Sequence, residues 1–363
     1  MKPEELLEAV NLIEKEKNIN RDAIFAILTD VLSQVYKKFY APKKNIKIII
    51  DKKTGVFSAY ESKTIVENVK DSDKEISIQE ALTIDSSAKI GDSLMFILEE
   101  VKFDRIVAQT VKQTLLQRIK EEEKKSIFSD VKNLLNTVIT GEVQRIDKNN
   151  VYVNIGKTIA ILPTKEQTKK DNYKIGDKLK FYIVQIENKP KGVSVILSRT
   201  HPKLVEKLFE EEITEIYDKL IEIKGVARDP GYRSKIAVKS LDANIDPIGT
   251  CVGQKGNKIQ SIVKELKGEK IDIIPFSEDE GEFIINALRP AVIEKVILDF
   301  NQKVAKVIVQ KEQLSLAIGK NGQNAKLAAK LTGWKIDIYT PEEYNELFKN
   351  SEQEIIEKTE ENE

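Results

Sequence analysis

The chain holds one cysteine, one histidine, one tryptophan and two methionines among 363 residues. A single thiol, Cys251, forbids an internal disulfide and any multi-cysteine metal site, and a single imidazole, His201, removes histidine zinc cages and paired-histidine catalysis. No cofactor is expected, and such thiol usage fits a reducing, cytoplasmic setting. Long hydrophobic runs are missing as well. Stretches such as Ile46 to Ile50 fall far short of the roughly 20 residues that span a bilayer, and the amino end, Met1-Lys2-Pro3-Glu4-Glu5, has no apolar core of a signal peptide. No membrane association is expected. Charge of one sign is absent too, since Lys+Arg 59 balances Asp+Glu 59, which excludes a uniformly basic, histone-like chain. With 40% hydrophobic against 33% charged residues, wholesale disorder is also excluded.

The balance is not uniform along the chain, and attraction to phosphate depends on local excess because it decays within a Debye length. Residues 1–135 carry 23 positive and 23 negative side chains, 136–200 carry 12 against 6, and 201–223 carry 3 against 7. Then 224–272 carry 10 against 6, 273–300 carry 2 against 6, 301–341 carry 7 against 2, and 342–363 carry 2 against 9. Three basic blocks joined by acidic connectors fit a polyanionic partner.

Periodicity assigns elements to these blocks. Ile24, Ile27, Leu28, Val31, Leu32, Val35 and Tyr36 have helical spacing, with Asn20 as a candidate cap. Residues 45–51 and 56–69 read as strands around Lys-Lys-Thr-Gly, and Ser77-Ile78-Gln79-Glu80 is a capping box. A short strand follows Gly91-Asp92, and Phe103-Asp104 opens a long helix to about Leu135 with no Gly or Pro inside. The pattern then shifts to short strands at 138–144, 151–155, 159–162, 178–186 and 193–198. Five strands in this length predict a small Greek-key barrel of the OB type, whose face and loops hold single-stranded nucleic acid. Only Tyr152, Tyr173, Phe181 and Tyr182 could stack on bases there, and Tyr152 stands evenly between facing a ligand and filling the core.

The carboxyl half contains a repeat. Val252-Gly253-Gln254-Lys255-Gly256-Asn257-Lys258 matches Ile318-Gly319-Lys320-Asn321-Gly322-Gln323-Asn324, and Leu266, Gly268, Lys270 and Ile271 match Leu331, Gly333, Lys335 and Ile336. Strand-like runs precede each glycine pair, at 220–227 with 235–239 and at 291–298 with 304–309. Each unit therefore reads helix, strand, strand, helix, GxxG, helix, strand. A GxxG loop between helices lets backbone approach a ligand closely and aims amide N–H groups at phosphate. Lys255 or Lys320 adds charge, which is the KH mode of clamping about four nucleotides. An isolated GxxG is usually a turn or packing contact; two copies in matched surroundings point to RNA.

In these motifs the chain resembles the NusA family of bacterial transcription elongation factors. The resemblance is carried by residues 103–113 (FDRIVAQTVKQ), 227–238 (ARDPGYRSKIAV), 246–253 (DPIGTCVG), 317–324 (AIGKNGQN) and 331–334 (LTGW), and it extends over residues 1 to about 340. It implies a multidomain α+β architecture. An α+β amino-terminal domain with a helical connector, 1–135, would bind RNA polymerase. A five-stranded OB-type β-barrel of the ribosomal S-one type would span 136–200, followed by two tandem KH α/β modules of prokaryotic type, 201–276 and 277–341. A short helix and acidic tail, 342–363, would follow. The implied role is not enzymatic. It is modulation of pausing, intrinsic termination and antitermination, with RNA polymerase, nascent single-stranded RNA, RNA hairpins and other antitermination factors as partners and a monomeric chain. Arg105 and Lys112 are candidates for contact with polymerase or an emerging hairpin, or are solvated helix charges. The candidate RNA-binding set is Gly253, Gln254, Lys255, Gly256, Lys258, Gly319, Lys320, Asn321, Gly322, Gln323, Lys326, Arg228, Arg233, Lys235, Tyr152 and Arg199. Two departures from the family stand out. Lys148-Asn149-Asn150-Val151-Tyr152-Val153 replaces the more aromatic barrel motif, and no acidic repeats are expected after Trp334.

Other readings stay open. Arg228 and Arg233 either brace a turn through Asp229 or reach phosphate with Lys235. Cys251 reads as a packed thiol and His201 as a linker or cap beside Pro202. Thr340-Pro341-Glu342-Glu343 is another capping box. Two rival functions are an RNA-processing enzyme, disfavoured by dispersed carboxylates, and a ribosome-associated or translational RNA-binding protein without polymerase contact.

Overall fold

A computed structural model describes residues 3–17, 19–42, 44–98, 105–190 and 192–347. It divides into two compact units, one ending at Asp130 and one beginning at Val131.

In the first unit, α1 (Pro3–Lys17) and α2 (Arg21–Tyr40) precede a sheet of β1 (Ile46–Ile50), β2 (Phe57–Val66), β3 (Glu75–Ser77) and β4 (Ser93–Ile97), with α3 (Ile78–Ile84) between the last two strands. The helix α4 (Arg105–Lys132) follows. Asn20 caps α2, its Oδ1 accepting from Asp22 N–H, and the helix buries Ile24, Phe25, Leu28 and Leu32 against Ile48, Ile50 and Ala59 of the sheet. The Ser77 box forms, Oγ accepting from Glu80 N–H at 3.2 Å. β2 is long because both its edges are used: β4 pairs antiparallel on one, while β1 and the short parallel β3 share the other in succession. Helix α1 and strand β3 go beyond the elements expected, and α4 stops at Lys132, where residues 133–136 turn.

The second unit opens with β5 (Val138–Ile146), β6 (Asn150–Asn154), β7 (Ile159–Pro163), β8 (Lys178–Lys189) and β9 (Gly192–Ser198), closed as a barrel in the order β5-β6-β7-β9-β8. Alternation fills it with Val143, Val151, Val153, Leu162, Phe181 and Leu197, all sealed from solvent. Two helices, α5 (Pro202–Glu212) and α6 (Thr214–Tyr217), lead into β10 (Ile221–Asp229), β11 (Arg233–Ser240), α7 (Pro247–Val252), α8 (Asn257–Glu265) and β12 (Lys270–Pro275). The second copy is α9 (Glu280–Leu288), β13 (Lys295–Asp299), β14 (Val304–Ile308), α10 (Lys311–Ile318), α11 (Gln323–Thr332) and β15 (Lys335–Tyr339). Each copy has one antiparallel and one parallel strand pair, β10-β11-β12 and β13-β14-β15, the prokaryotic KH topology.

One expected strand starts late. Residues 291–294 are not pleated, because Ala291 N–H still bonds the helix-end carbonyl of Leu288 and its side chain is buried in the core, so β13 begins only at Lys295. The box at Thr340 forms reciprocally: Thr340 N–H donates to Glu343 Oε2 at 2.9 Å and Glu343 N–H donates to Thr340 Oγ1 at 3.3 Å. The acidic tail from 348 onward lies outside the described residues.

Candidate nucleic-acid interface

The two GxxG loops have the same backbone. Gly253 and Gly319 sit at φ/ψ 74/174 and 74/169, Lys255 and Asn321 at 51/23 and 55/27, and Gly256 and Gly322 at 78/16 and 71/16. Lys255 and Asn321 thus adopt the left-handed conformation that L-residues rarely take, which signals a constrained loop. Glycine at the first position is dictated by space. A Cβ on Gly253 would lie 2.4 Å from Asn257 Oδ1, and one on Gly319 would lie 2.7 Å from Asn324 Cβ and 2.9 Å from its backbone N. No side chain caps α8 or α11, so the first-turn N–H groups of each open onto the loop. Gln254, Lys255, Lys320 and Asn321 are exposed at the loop tips. That combination is an anion cradle.

Behind the loops the copies differ. Lys258 is drawn aside to Glu215 Oε2 at 3.0 Å, so it braces the first loop. Its counterpart Asn324 is 4% exposed and donates Nδ2 to the carbonyls of Leu288 and Ala317, tying α11 to the ends of α9 and α10. Gln323 donates to Asp229 Oδ2 across the two copies, and Lys326 remains exposed beside Asn321.

Three expected RNA ligands are corrected, each for the same reason: the side chain is consumed in a buried ion pair. Arg199 is 1% exposed, and its guanidinium donates to Asp171 Oδ2 at 2.9 Å, Glu265 Oε1 at 2.8 Å and the carbonyls of Lys180 and Glu265. Arg228 is held by Glu269 and the His201 carbonyl. Lys235 is 0% exposed, donates to the Arg289 carbonyl at 3.2 Å and lies 3.4 Å from Asp272. Burial drives its ammonium below the ordinary lysine value, with Asp272 opposing. Arg233 keeps partial exposure but is bidentate to Asp272 at 2.7 and 3.0 Å, so neither arginine braces the turn through Asp229. Sequence spacing alone could not separate these from solvated cations, because their carboxylate partners lie 28–66 residues away.

On the barrel, Tyr152 projects outward and is half-buried, with the Arg145 guanidinium 3.9 Å from its ring centroid. Phe181 and Tyr182 are core residues, and the Tyr173 hydroxyl donates to Asp171. Burial, aided by the Asp171 charge, raises the Tyr173 phenol. His201 caps α5, its Nδ1 accepting from Lys203 N–H at 3.1 Å, and stacks on Tyr182. Cys251 is buried, which pushes its thiol up to about 12 and makes it inert. Lys112 is exposed on α4, whereas the side chain of Arg105 lies outside the described residues. Among the described residues no cluster of three or more His, Cys, Asp or Glu could hold a metal ion, and no helix is long and apolar enough to cross a membrane.

A closed barrel joined to two KH modules with matched phosphate cradles defines a modular RNA-binding protein. Comparisons with known proteins agree segment by segment. Residues 5–125 match the NusA N-terminal domain, 135–198 the S1 RNA binding domain, 199–276 the NusA-like first KH domain and 280–346 the NusA-like second KH domain. Over 343 residues the chain is 45% identical to the transcription termination/antitermination protein NusA of Bacillus subtilis, covering 94% of this chain and 92% of that one. It is 39% identical to the Thermus thermophilus protein of the same name, covering 92% and 89%. The solution structure of the N-terminal domain of NusA from B. subtilis is 34% identical, covering 33% of this chain and 98% of that one, with a TM-score of 0.28. The chain belongs to the NusA family, a family of non-enzymatic RNA-binding transcription factors.

Proposed function

We propose that this chain docks on RNA polymerase through its first unit, binds nascent single-stranded RNA and RNA hairpins through its second, and so modulates pausing, intrinsic termination and antitermination. The observation that carries the RNA half is the paired GxxG loops, identical in backbone and each tipped by two exposed polar side chains. Gly253, Gln254, Lys255 and Gly256 take phosphate in the first copy. Gly319, Lys320, Asn321 and Gly322, with Lys326 alongside, take it in the second, and Tyr152 offers a base platform on the barrel. The polymerase half is supported by the charge balance of residues 1–135, which leaves that stretch no basic excess for RNA and suits a protein partner. Lys112 and Arg105 on α4 contact polymerase or the hairpin. The chain acts as a cytoplasmic monomer alongside other antitermination factors. Tethering to polymerase raises the effective RNA concentration, so modest intrinsic affinity suffices.

The test is the lifetime of a hairpin-stabilised pause in purified transcription, with the whole chain against residues 131–363 at equal concentration. Prolongation by the whole chain alone supports docking. No effect from either, with both still binding RNA and an active cognate polymerase, transfers the function to a translational setting.

A further inference from the structure

The tip of the β10–β11 hairpin is a junction of three modules. Gly231 N–H donates to Glu269 Oε2 at 2.7 Å and Tyr232 N–H donates to the Asp229 carbonyl at 3.0 Å, which pins the tip from within. Asp229 accepts from Gln323 of the second GxxG region, and Gly231 sits so close to the barrel that a Cβ there would lie 3.5 Å from Lys170 Cβ. Between the tip and α11 lies an open cleft of about 1010 Å³, lined by Tyr232, Lys320, Asn321, Lys326 and Lys330 among others.

Tyr232 is anomalous for a residue on so rigid a tip. It is 45% exposed, its hydroxyl takes no hydrogen bond among the described residues, and it packs into no core cluster. The Lys170 ammonium from the barrel lies 4.9 Å from its ring centroid. Three further exposed lysines, Lys320, Lys326 and Lys330, face the same cleft from α11 and its loop. An exposed ring held on fixed backbone beside several cations matches the chemistry of a single-stranded nucleotide: a π-face for the base and ammonium groups for the flanking phosphates.

We propose that this cleft is a nucleotide subsite for single-stranded RNA, in which Tyr232 stacks on a base while Lys320, Lys326 and Lys330 hold adjacent phosphates as the strand passes from the barrel to the second GxxG loop. The subsite rests on the RNA-binding reading and extends it to a position between modules. Pinning of the tip by Glu269 and Gln323 makes the platform preorganised, so little ordering entropy is lost when a base arrives.

The probe is a pool of random-sequence single-stranded RNA of about twelve nucleotides, with 5-bromouridine in place of uridine, titrated against the full chain. Tyr232→Ala weakens binding by about tenfold, and Tyr232→Phe, which keeps the π-face, binds as the parent does. Ultraviolet cross-linking places the modified base on the peptide containing Tyr232. Circular dichroism and thermal melting of Tyr232→Ala match the parent, since the ring is exposed. If the parent binds the pool, Lys320→Asp/Asn321→Asp loses binding, and Tyr232→Ala neither loses affinity nor changes the cross-linked peptide, the subsite is overturned while the RNA reading stands. If the parent itself does not bind, both fall.

Discussion

Arg228 and Glu269 meet in a bidentate ion pair, Nε to Oε1 at 2.9 Å and Nη2 to Oε2 at 2.8 Å, with side chains 1% and 0% exposed. The same carboxylate accepts from Gly231 N–H and Ser234 Oγ, and the remaining Arg228 nitrogen donates to the His201 carbonyl. One buried pair therefore fastens the hairpin tip, the entry of β12 and the linker from the barrel. Its value lies in placing the barrel and the KH surface in register, because burying two charges costs desolvation that their attraction only partly offsets.

Removing one partner should be costly. Glu269→Ala orphans a buried guanidinium and is expected to lower stability by about 3–5 kcal/mol, whereas Arg228→Met/Glu269→Ala loses less than the sum of the single changes. Trp334 is the sole tryptophan and is 3% exposed within the second unit, so its fluorescence in urea reports that unit alone. A loss below about 1 kcal/mol for Glu269→Ala would contradict the clamp.

The sole imidazole gives a clean titration. Burial lowers the His201 value below the ordinary 6.5, and Glu166 only partly opposes it. The group is a base whose folded value is depressed, so the unfolded chain takes up its proton first. The stability it contributes is complete above the unfolded value, near 6.5, and is lost as pH falls through the lower folded one. The single histidine Hε1 resonance should titrate with a midpoint below 6.5. A midpoint at or above that value would mean the stack on Tyr182 is open to water.

Asp171 has the opposite environment from its charge but the same direction of linkage. Burial pushes its carboxyl up, yet the hydrogen bond and charge of Arg199 outweigh that and hold it below the ordinary 3.8. Its contribution is present above the unfolded value and lost as pH falls through the lower folded one. Asp171→Asn should therefore melt lower than the parent at pH near 7, and the gap should close only below about pH 4. A gap that closes between about pH 5 and 7 would assign the loss to another group.

Much of this architecture was written in local pattern. The five barrel strands, the capped helix at Asn20, the Ser77 and Thr340 boxes and the doubled GxxG all rest on neighbours within a few residues, where periodicity and turn chemistry act. Helix α1 was not read, because its apolar stripe of Leu6, Val10 and Ile13 is short and set among charged residues. The basic side chains were another matter. Arg199, Arg228 and Lys235 sit in basic stretches of sequence, and only the fold shows that Asp171, Glu269 and Asp272 neutralise them. Charge counts register an excess but not which cations it leaves free; pairing at long sequence separation decides that. Tyr232 was hidden for the converse reason, since its exposure depends on three modules meeting at one hairpin.

The glycines of one loop are not equivalent. Gly319 and Gly322 both have positive φ, but Gly322 (ψ 16) is left-handed helical, where alanine costs about 1–2 kcal/mol, whereas Gly319 (ψ 169) lies in an extended region essentially reserved for glycine. At Gly322 the new methyl makes only ordinary contact, its nearest neighbour being Lys326 Cε at 3.6 Å, whereas at Gly319 it collides with Asn324 Cβ and backbone N. Gly319→Ala should be the more destabilising by at least about 1 kcal/mol in the same Trp334 assay, because a backbone atom must shift. Equal losses would show that the loop relaxes freely around Asn324.

Phosphate capture by the loops has a signature that structure loss does not imitate. Lys255 and Lys320 are exposed, so their replacement leaves packing intact. Each neutralises about one phosphate, and single-stranded RNA gives a slope of log affinity against log salt near −0.7 per contact. Lys255→Gln or Lys320→Gln should therefore flatten that slope by about 0.7, and the double change by about twice as much, with affinity falling most at low salt. Gln254→Asp/Lys255→Asp should weaken binding further than neutralisation alone, because carboxylates then occupy the positions phosphate oxygens need. The double glutamine variant is the decisive one: an unchanged salt slope with normal folding would remove both loops from the path of the phosphate backbone, since no rearrangement of bases can conserve the number of ions released.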